Sequence, residues 1–155
     1  MARETERKFL VKNNEYKKGI SGVFYKQGYL SRSPDCTIRV RTADNKAWLT
    51  IKGPTCGATR YEFEYPIPYD DALSLFALCK GGFIEKIRYN VIYDGMLWEV
   101  DEFLGKNEGL VIAEIELESE NQPFKLPPWA GEEITGDARF YNSNLIDKPL
   151  GENKK

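Results

Sequence analysis

The chain contains no histidine, only three cysteines and two methionines, and no long apolar run. Each scarcity removes a class of chemistry. Without imidazole, Ser-His-Asp and Cys-His catalysis are excluded, as is any zinc site built on histidine. A metal would have to be held mainly by carboxylates, which favours hard ions such as magnesium, manganese or calcium. Cys36, Cys56 and Cys79 form no CxxC and are odd in number, which argues against a disulfide framework and for a reduced, cytoplasmic setting. No stretch approaches the ~18 apolar residues of a membrane span, and the amino terminus reads as a charged strand, not a signal peptide. Charged residues make up 30% of the chain yet nearly cancel, to a net charge of -2. That balance lacks the cation excess of a nucleic-acid binder, so neither nucleic acid nor membrane is expected as a partner. A homodimer is left open.

What is present is strand pattern. A length of 155 residues suits one domain, taken as 1–150, with GENKK at 151–155 as a frayed tail. Eight strand-like stretches are expected, at roughly 3–10, 22–31, 36–43, 46–53, 60–67, 83–93, 96–104 and 110–119. Asp44-Asn45 and Asp94-Gly95 are two-residue hairpin turns. Asp70-Asp71, followed by Leu73, Phe76 and Ala77, predicts a helix stopped by Gly81-Gly82, and a second is expected from Asp137 through Ile146. The proline-rich stretch 121–136 should be irregular.

The strands carry charges in rows of period two. Glu4, Glu6 and Lys8 share one face of the first strand, because successive side chains point to opposite sides. The pattern recurs as Arg39/Arg41, Glu62/Glu64, Lys86/Arg88 and Glu114/Glu116, each alternating with apolar residues. A single such row is explained by an ordinary half-wet strand. The hairpin turns sharpen the reading, since a two-residue turn fixes register. Arg39, Arg41 and Lys52 then share one face, and Lys86, Arg88, Glu99 and Asp101 share another. Neighbouring charges of one sign repel on a solvated sheet, so their segregation by strand implies partners outside the sequence. Carboxylate pairs suit a divalent cation, and Arg and Lys pairs suit phosphate oxygens. A closed eight-stranded antiparallel β-barrel could hold both in one charged tunnel, with apolar faces turned outward under a few covering helices. The fold class expected is therefore mainly β (α+β).

Glu4-Thr5-Glu6-Arg7-Lys8 resembles the ExExK signature of the CYTH superfamily, the triphosphate tunnel metalloenzymes. IRVR at 38–41, LTIKG at 49–53, RYEFEY at 60–65, KIRY at 86–89, WEVDEFLG at 98–105 and AEIELES at 113–119 follow in that family's order. ITGDARFYNSNL at 134–145 resembles the ending of the short prokaryotic members, whereas the serine-rich LSRSPDC after Tyr29 departs from the pattern. The resemblance implies an eight-stranded barrel, a divalent metal (Mg2+ or Mn2+) and a small triphosphate substrate. It implies Glu4, Glu6, Glu114 and Glu116 as metal-binding acids, with Glu62, Glu64 and Asp101 as further candidates. Lys8, Arg39, Arg41, Lys52, Lys86 and Arg88 would grip the substrate. Tyr29 matches a proposed proton acceptor beside Lys8, although a buried structural tyrosine is an equal reading of the residue itself.

The activity implied is metal-dependent hydrolysis of a triphosphate, inorganic tripolyphosphate first, with the water's proton passing to a carboxylate, to Tyr29 or to the metal centre. The alternatives are a class IV-type adenylate cyclase, a thiamine triphosphatase, a non-catalytic polyphosphate or nucleotide binder, and a plain barrel held by internal ion pairs such as Arg88–Asp101.

Overall fold

The computed structural model describes residues 3–150, so the expectation of a frayed 151–155 lies outside the described residues. Nine strands are present among them: β1 (Arg3–Val11), β2 (Val23–Ser33), β3 (Cys36–Ala43), β4 (Lys46–Lys52), β5 (Thr59–Ile67), β6 (Phe83–Tyr93), β7 (Met96–Phe103), β8 (Val111–Leu117) and β9 (Ala130–Glu133). All neighbouring pairs are antiparallel, in the order β5-β4-β3-β2-β6-β7-β8-β1-β9, and a further β5–β1 pairing closes the first eight into a ring. The eight strands expected from the alternation are the eight of that ring. Both two-residue turns hold the predicted register, with Arg39 opposite Thr50, Thr37 opposite Lys52, and Arg88 opposite Asp101. Asp44, Asp94 and Gly95 all take positive φ at these turns, a conformation open to Asp and easy for Gly.

β1 is shared three ways. One edge pairs with β8 from Thr5 to Leu10. The other edge meets β5 through Arg3–Thr5 and then β9 through Phe9–Val11. The ninth strand corrects the expectation that 121–136 is irregular throughout. Ala130–Glu133 carries no alternation to announce it, and it pairs because β5 leaves the upper edge of β1 open. LSRSPDC also proves regular. A bulge between Tyr29 and Ser31 re-registers β2, which then pairs with β3 as far as Ser33–Cys36.

The covering helices are short. α1 (Tyr69–Phe76) starts after Pro68 with Asp70 and Asp71 in its first turn, and it buries Ala72 and Phe76 against Val40 and Ala47 on the outer face of β3 and β4. The second predicted helix is broken into a 3-10 turn at Ala138–Phe140 and a single helical turn, α2 (Asn142–Leu145). Asp137 accepts from the Arg139 backbone amide and caps the first turn, and Tyr141 is extended, which ends it.

The main apolar core lies outside the ring. Phe9, Val91, Trp98, Val100, Ala113, Ile115 and Leu117 occupy the outward register positions, and Tyr16, Phe124 and Trp129 close over them. The rings of Phe9, Trp98, Phe124 and Trp129 meet at centroid distances of 5.7–6.1 Å. A second cluster enters the ring at one end, where Ile84, Phe103 and Ile112 hold inward positions and pack with Phe140, Leu145 and Ile146. The interior is thus polar along most of its length and apolar beneath the C-terminal segment.

Because Trp98 is fully buried at the centre of the outer core, Trp98→Ala should cost about 3–5 kcal/mol in chemical denaturation. A loss below about 1 kcal/mol would place the core elsewhere.

Candidate active site

Alternation sends Glu4, Glu6 and Lys8 of β1 into the ring, while Phe9 faces the outer core. The same rule brings in Arg39 and Arg41 from β3, Lys52 from β4, Glu62 and Glu64 from β5, Lys86 and Arg88 from β6, and Glu114 and Glu116 from β8. All of these line one cavity of about 440 Å³, together with Tyr29. Asp101 also points inward but is not part of that wall. It is 2% exposed and consumed by cations: Arg88 donates Nε and Nη2 to its two oxygens at 2.7 and 2.9 Å, and Lys86 Nζ lies 2.7 Å away. The carboxylate therefore serves as an anchor for two basic side chains.

The charges interlock around the ring. Lys52 reaches Glu4 and Glu62, each at 3.2 Å, and Lys8 lies 3.7 Å from Glu6 and 3.6 Å from Glu114. Glu64 accepts from Thr50 at 3.0 Å and sits 3.4–3.6 Å from Arg41 and Arg39. The pairing is incomplete on both sides. Nε of Arg39 and Nε of Arg41 are buried without an acceptor, and Glu116 forms no ion pair among the described residues. Buried donors are normally satisfied, and both guanidiniums have a nitrogen free to donate to an anion.

The same imbalance shifts protonation. Burial, and after it Glu114 and Glu4, push Glu6 up to about 7 against the opposing pull of Lys8. Burial would raise Glu114 too, but Lys8, Arg88 and Lys86 hold it at about 2. Burial also brings Lys86 down to about 8, although Asp101 opposes that shift. Burial, then repulsion from Arg39 and Arg88, lowers Arg41 to about 10.

Tyr29 is 3% exposed, and its hydroxyl accepts a hydrogen bond from Gln27 Nε2 at 2.9 Å. Lys8 Nζ lies 5.6 Å from the centre of the Tyr141 ring. Three wall residues escaped the sequence reading. Arg60 donates to Glu4 at 3.1 Å and stands under the same Tyr141 ring at 6.0 Å. Its parity with Glu62 and Glu64 in RYEFEY was the available signal. Tyr141 and Asn142 left none, because they arrive from a segment without periodicity. Asn142 Oδ1 accepts from both Lys86 Nζ at 2.9 Å and Gln27 Nε2 at 3.0 Å.

Among the described residues no three carboxylates converge closely enough to hold a metal by themselves. Pairs do converge, with Glu6 directly opposite Glu116 and Glu114 one step along β8. Two carboxylates completed by substrate oxygens are the usual magnesium arrangement, and the donor set is all hard oxygen. The residues present therefore fit a divalent ion.

The fold and the site together define a closed antiparallel barrel with its charges turned inward. The chain belongs to the CYTH domain family, whose match spans residues 2–141. It is 50% identical over 150 residues to an inorganic triphosphatase of Acetivibrio thermocellus, covering 96% of each chain. It is 37% identical over 147 residues to an inorganic triphosphatase of Nitrosomonas europaea, covering 92% of this chain and 95% of that one. Among solved structures it superposes on the crystal structure of the inorganic triphosphatase NE1496 with a TM-score of 0.67 and 34% identity, covering 94% of this chain and 99% of that one.

Asp101 is held ionised well below the usual carboxylate range by Arg88 and Lys86, against its burial. Its contribution is fully present above the unfolded value near 3.8 and is lost as pH falls below it. Asp101→Asn should therefore cost about 3–5 kcal/mol at pH 7, by leaving two buried cations short of a partner. The deficit should shrink progressively as pH falls below about 4, because the unfolded parent takes up a proton there that the folded ion pair refuses. A deficit that stays constant with pH in denaturant melts would refute the ion-pair role.

Proposed function

We propose that this protein hydrolyses inorganic tripolyphosphate inside the ring, with a divalent cation. One observation carries the reading: a wall whose cations include Lys8, Arg39, Arg41, Lys52, Arg60, Lys86 and Arg88 holds buried donors, Nε of Arg39 and of Arg41, that the protein itself leaves unmatched. A tripolyphosphate carries roughly four to five negative charges, which these cations would meet alongside a divalent ion that offsets the wall's carboxylates. The family membership and the activity of the two curated relatives support the same substrate.

Arg39, Arg41, Lys52 and Arg60 would bind one length of the chain, and Lys86 and Arg88 the other, held in place by the carboxylates they share, Glu64, Glu4 and Asp101. Preorganisation of this kind counts because phosphoryl transfer needs positioned charge more than covalent chemistry. Glu4, Glu6, Glu114 and Glu116 would hold magnesium or manganese, which when bound neutralises phosphate oxygens and activates water. Lys8, tied to Glu6 and Glu114, would link that acidic wall to the terminal phosphate. Water forms the new P–O bond as the anhydride P–O bond breaks, and pyrophosphate leaves. Tyr29 is proposed as the acceptor of the water's proton, with Gln27 orienting its hydroxyl. Glu62 and Glu64 hold Lys52 and the Arg39–Arg41 pair, and Asp101 orients Arg88 and Lys86; we assign these three acids to positioning. Exposed Cys36 and Cys56 are thiols suited to a reducing, cytoplasmic compartment.

Phosphate release over tripolyphosphate, thiamine triphosphate and ATP, with magnesium and with manganese, tests the assignment. Tripolyphosphate should give the highest kcat/KM, and chelation with EDTA should abolish turnover. Preference for either other substrate, or cyclic AMP from ATP, would replace the reading. Glu6→Gln and Glu116→Gln should each lower kcat by more than about 100-fold while thermal melts stay cooperative. Near-parental turnover in saturating magnesium would remove these acids from the site. Arg39→Ala and Lys52→Ala should raise KM by about tenfold or more, and an unchanged KM would deny them substrate contact.

A further inference from the structure

The cavity wall runs from the β2–β3 connection to Glu64, Glu99 and Glu116, and its two ends differ in charge. One is bounded by the β2–β3 and β4–β5 connections and the C-terminal segment. Its wall residues are Arg32, Thr37, Thr55, Arg60, Ser143 and Asn144, cations and neutral donors. Towards the other end the wall presents Glu64, Glu99 and Glu116, with only Arg41 and Arg88 against them. The side chains of Glu64 and Glu99 are 36% and 39% exposed, so these carboxylates face solvent at that rim.

Arg32 is the outermost cation of the first end. Its Nη1 lies 2.7 Å from Asp147 Oδ2 and 3.5 Å from the Ser143 carbonyl. Gly81 presses against the guanidinium from behind: at φ +86° it carries no side chain, and a Cβ there would come within 2.7 Å of Nη2. The guanidinium is thus packed closely against the Gly81 backbone. Its partner is replaceable, because the Asp147 side chain is 61% exposed and a solvated ion pair is worth little. Asp147 takes a single guanidinium nitrogen, whereas a phosphate can take two and carries more charge.

Resting on the triphosphate reading above, we propose that the polyanion enters by the Arg32 end, and that Arg32 is a specificity residue that makes first contact by exchanging Asp147 for a phosphate. The acidic rim opposite repels the same ligand, so the field along the ring favours one direction of approach. The pair also ties the opening to the C-terminal segment, whose Asn142 touches Lys86 deeper in the wall.

Tripolyphosphate hydrolysis by the parent, Arg32→Glu, Arg32→Lys and Asp147→Asn, measured across ionic strength, tests this. Arg32→Glu should lower kcat/KM at least tenfold at low salt with kcat within about twofold, the gap closing by roughly 0.5 M salt as charges are screened. Arg32→Lys should recover most of the loss, and Asp147→Asn should leave kcat/KM at or above the parent. Parallel losses in Arg32→Lys and Asp147→Asn, with lowered melting temperatures, would make the pair a structural tether and overturn the proposal. So would an Arg32→Glu protein that matches the parent at every salt concentration. If Arg32→Glu does not fold, the Arg32→Lys and Asp147→Asn comparison decides alone. A parent that releases no phosphate would instead sink the triphosphatase reading itself.

Discussion

Closure of the ring through β1 is the constraint on which the rest depends. Among the described residues three pairs, Arg3–Tyr61, Glu4–Arg60 and Thr5–Thr59, join it to β5. They turn one face of an antiparallel sheet into an interior. Once that happens, every charge in the inward rows loses water and must find another partner or keep a cost. The ion pairs that thread the wall are the consequence, and so is the inverted core, with Trp98, Phe9 and Trp129 packed outside the strands.

Internal pairing does not run to completion, and the remainder gives the interior its chemistry. Asp101 is engaged by both Arg88 and Lys86. Elsewhere acids crowd acids along β1 and β8, while Arg39 and Arg41 keep donors without acceptors. A ring that satisfied all of these would be more stable and could bind nothing charged. The strain of like charges held side by side is relieved by ligands of both signs together, which fits joint binding of a polyphosphate and a divalent cation.

Much of this was legible in the sequence because strand geometry has a period of two. Alternation placed Glu4, Glu6, Lys8, Arg39, Arg41, Lys86, Arg88, Glu114 and Glu116 on shared faces, and two tight turns fixed which residues oppose which. Asp101 was legible as a member of its row, but its engagement by both Arg88 and Lys86 was not. Arg60 followed the same parity as Glu62 and was still overlooked, because it opens its strand. Tyr141, Asn142 and β9 were not legible. They belong to segments whose conformation is set by the edge of β1 and by the apolar end of the ring, not by local pattern.

The sequence by itself determined the strands, their faces and the segregation of charge, since these depend on neighbours two residues apart or across a two-residue turn. Tertiary structure decided which acid meets which base, which donors stay unspent, and which end of the cavity is basic. Those outcomes arise from contacts between residues distant in the chain, such as Arg60 with Glu4 and Arg32 with Asp147. Such contacts exist only after the ring has closed and the C-terminal segment has folded back across its end.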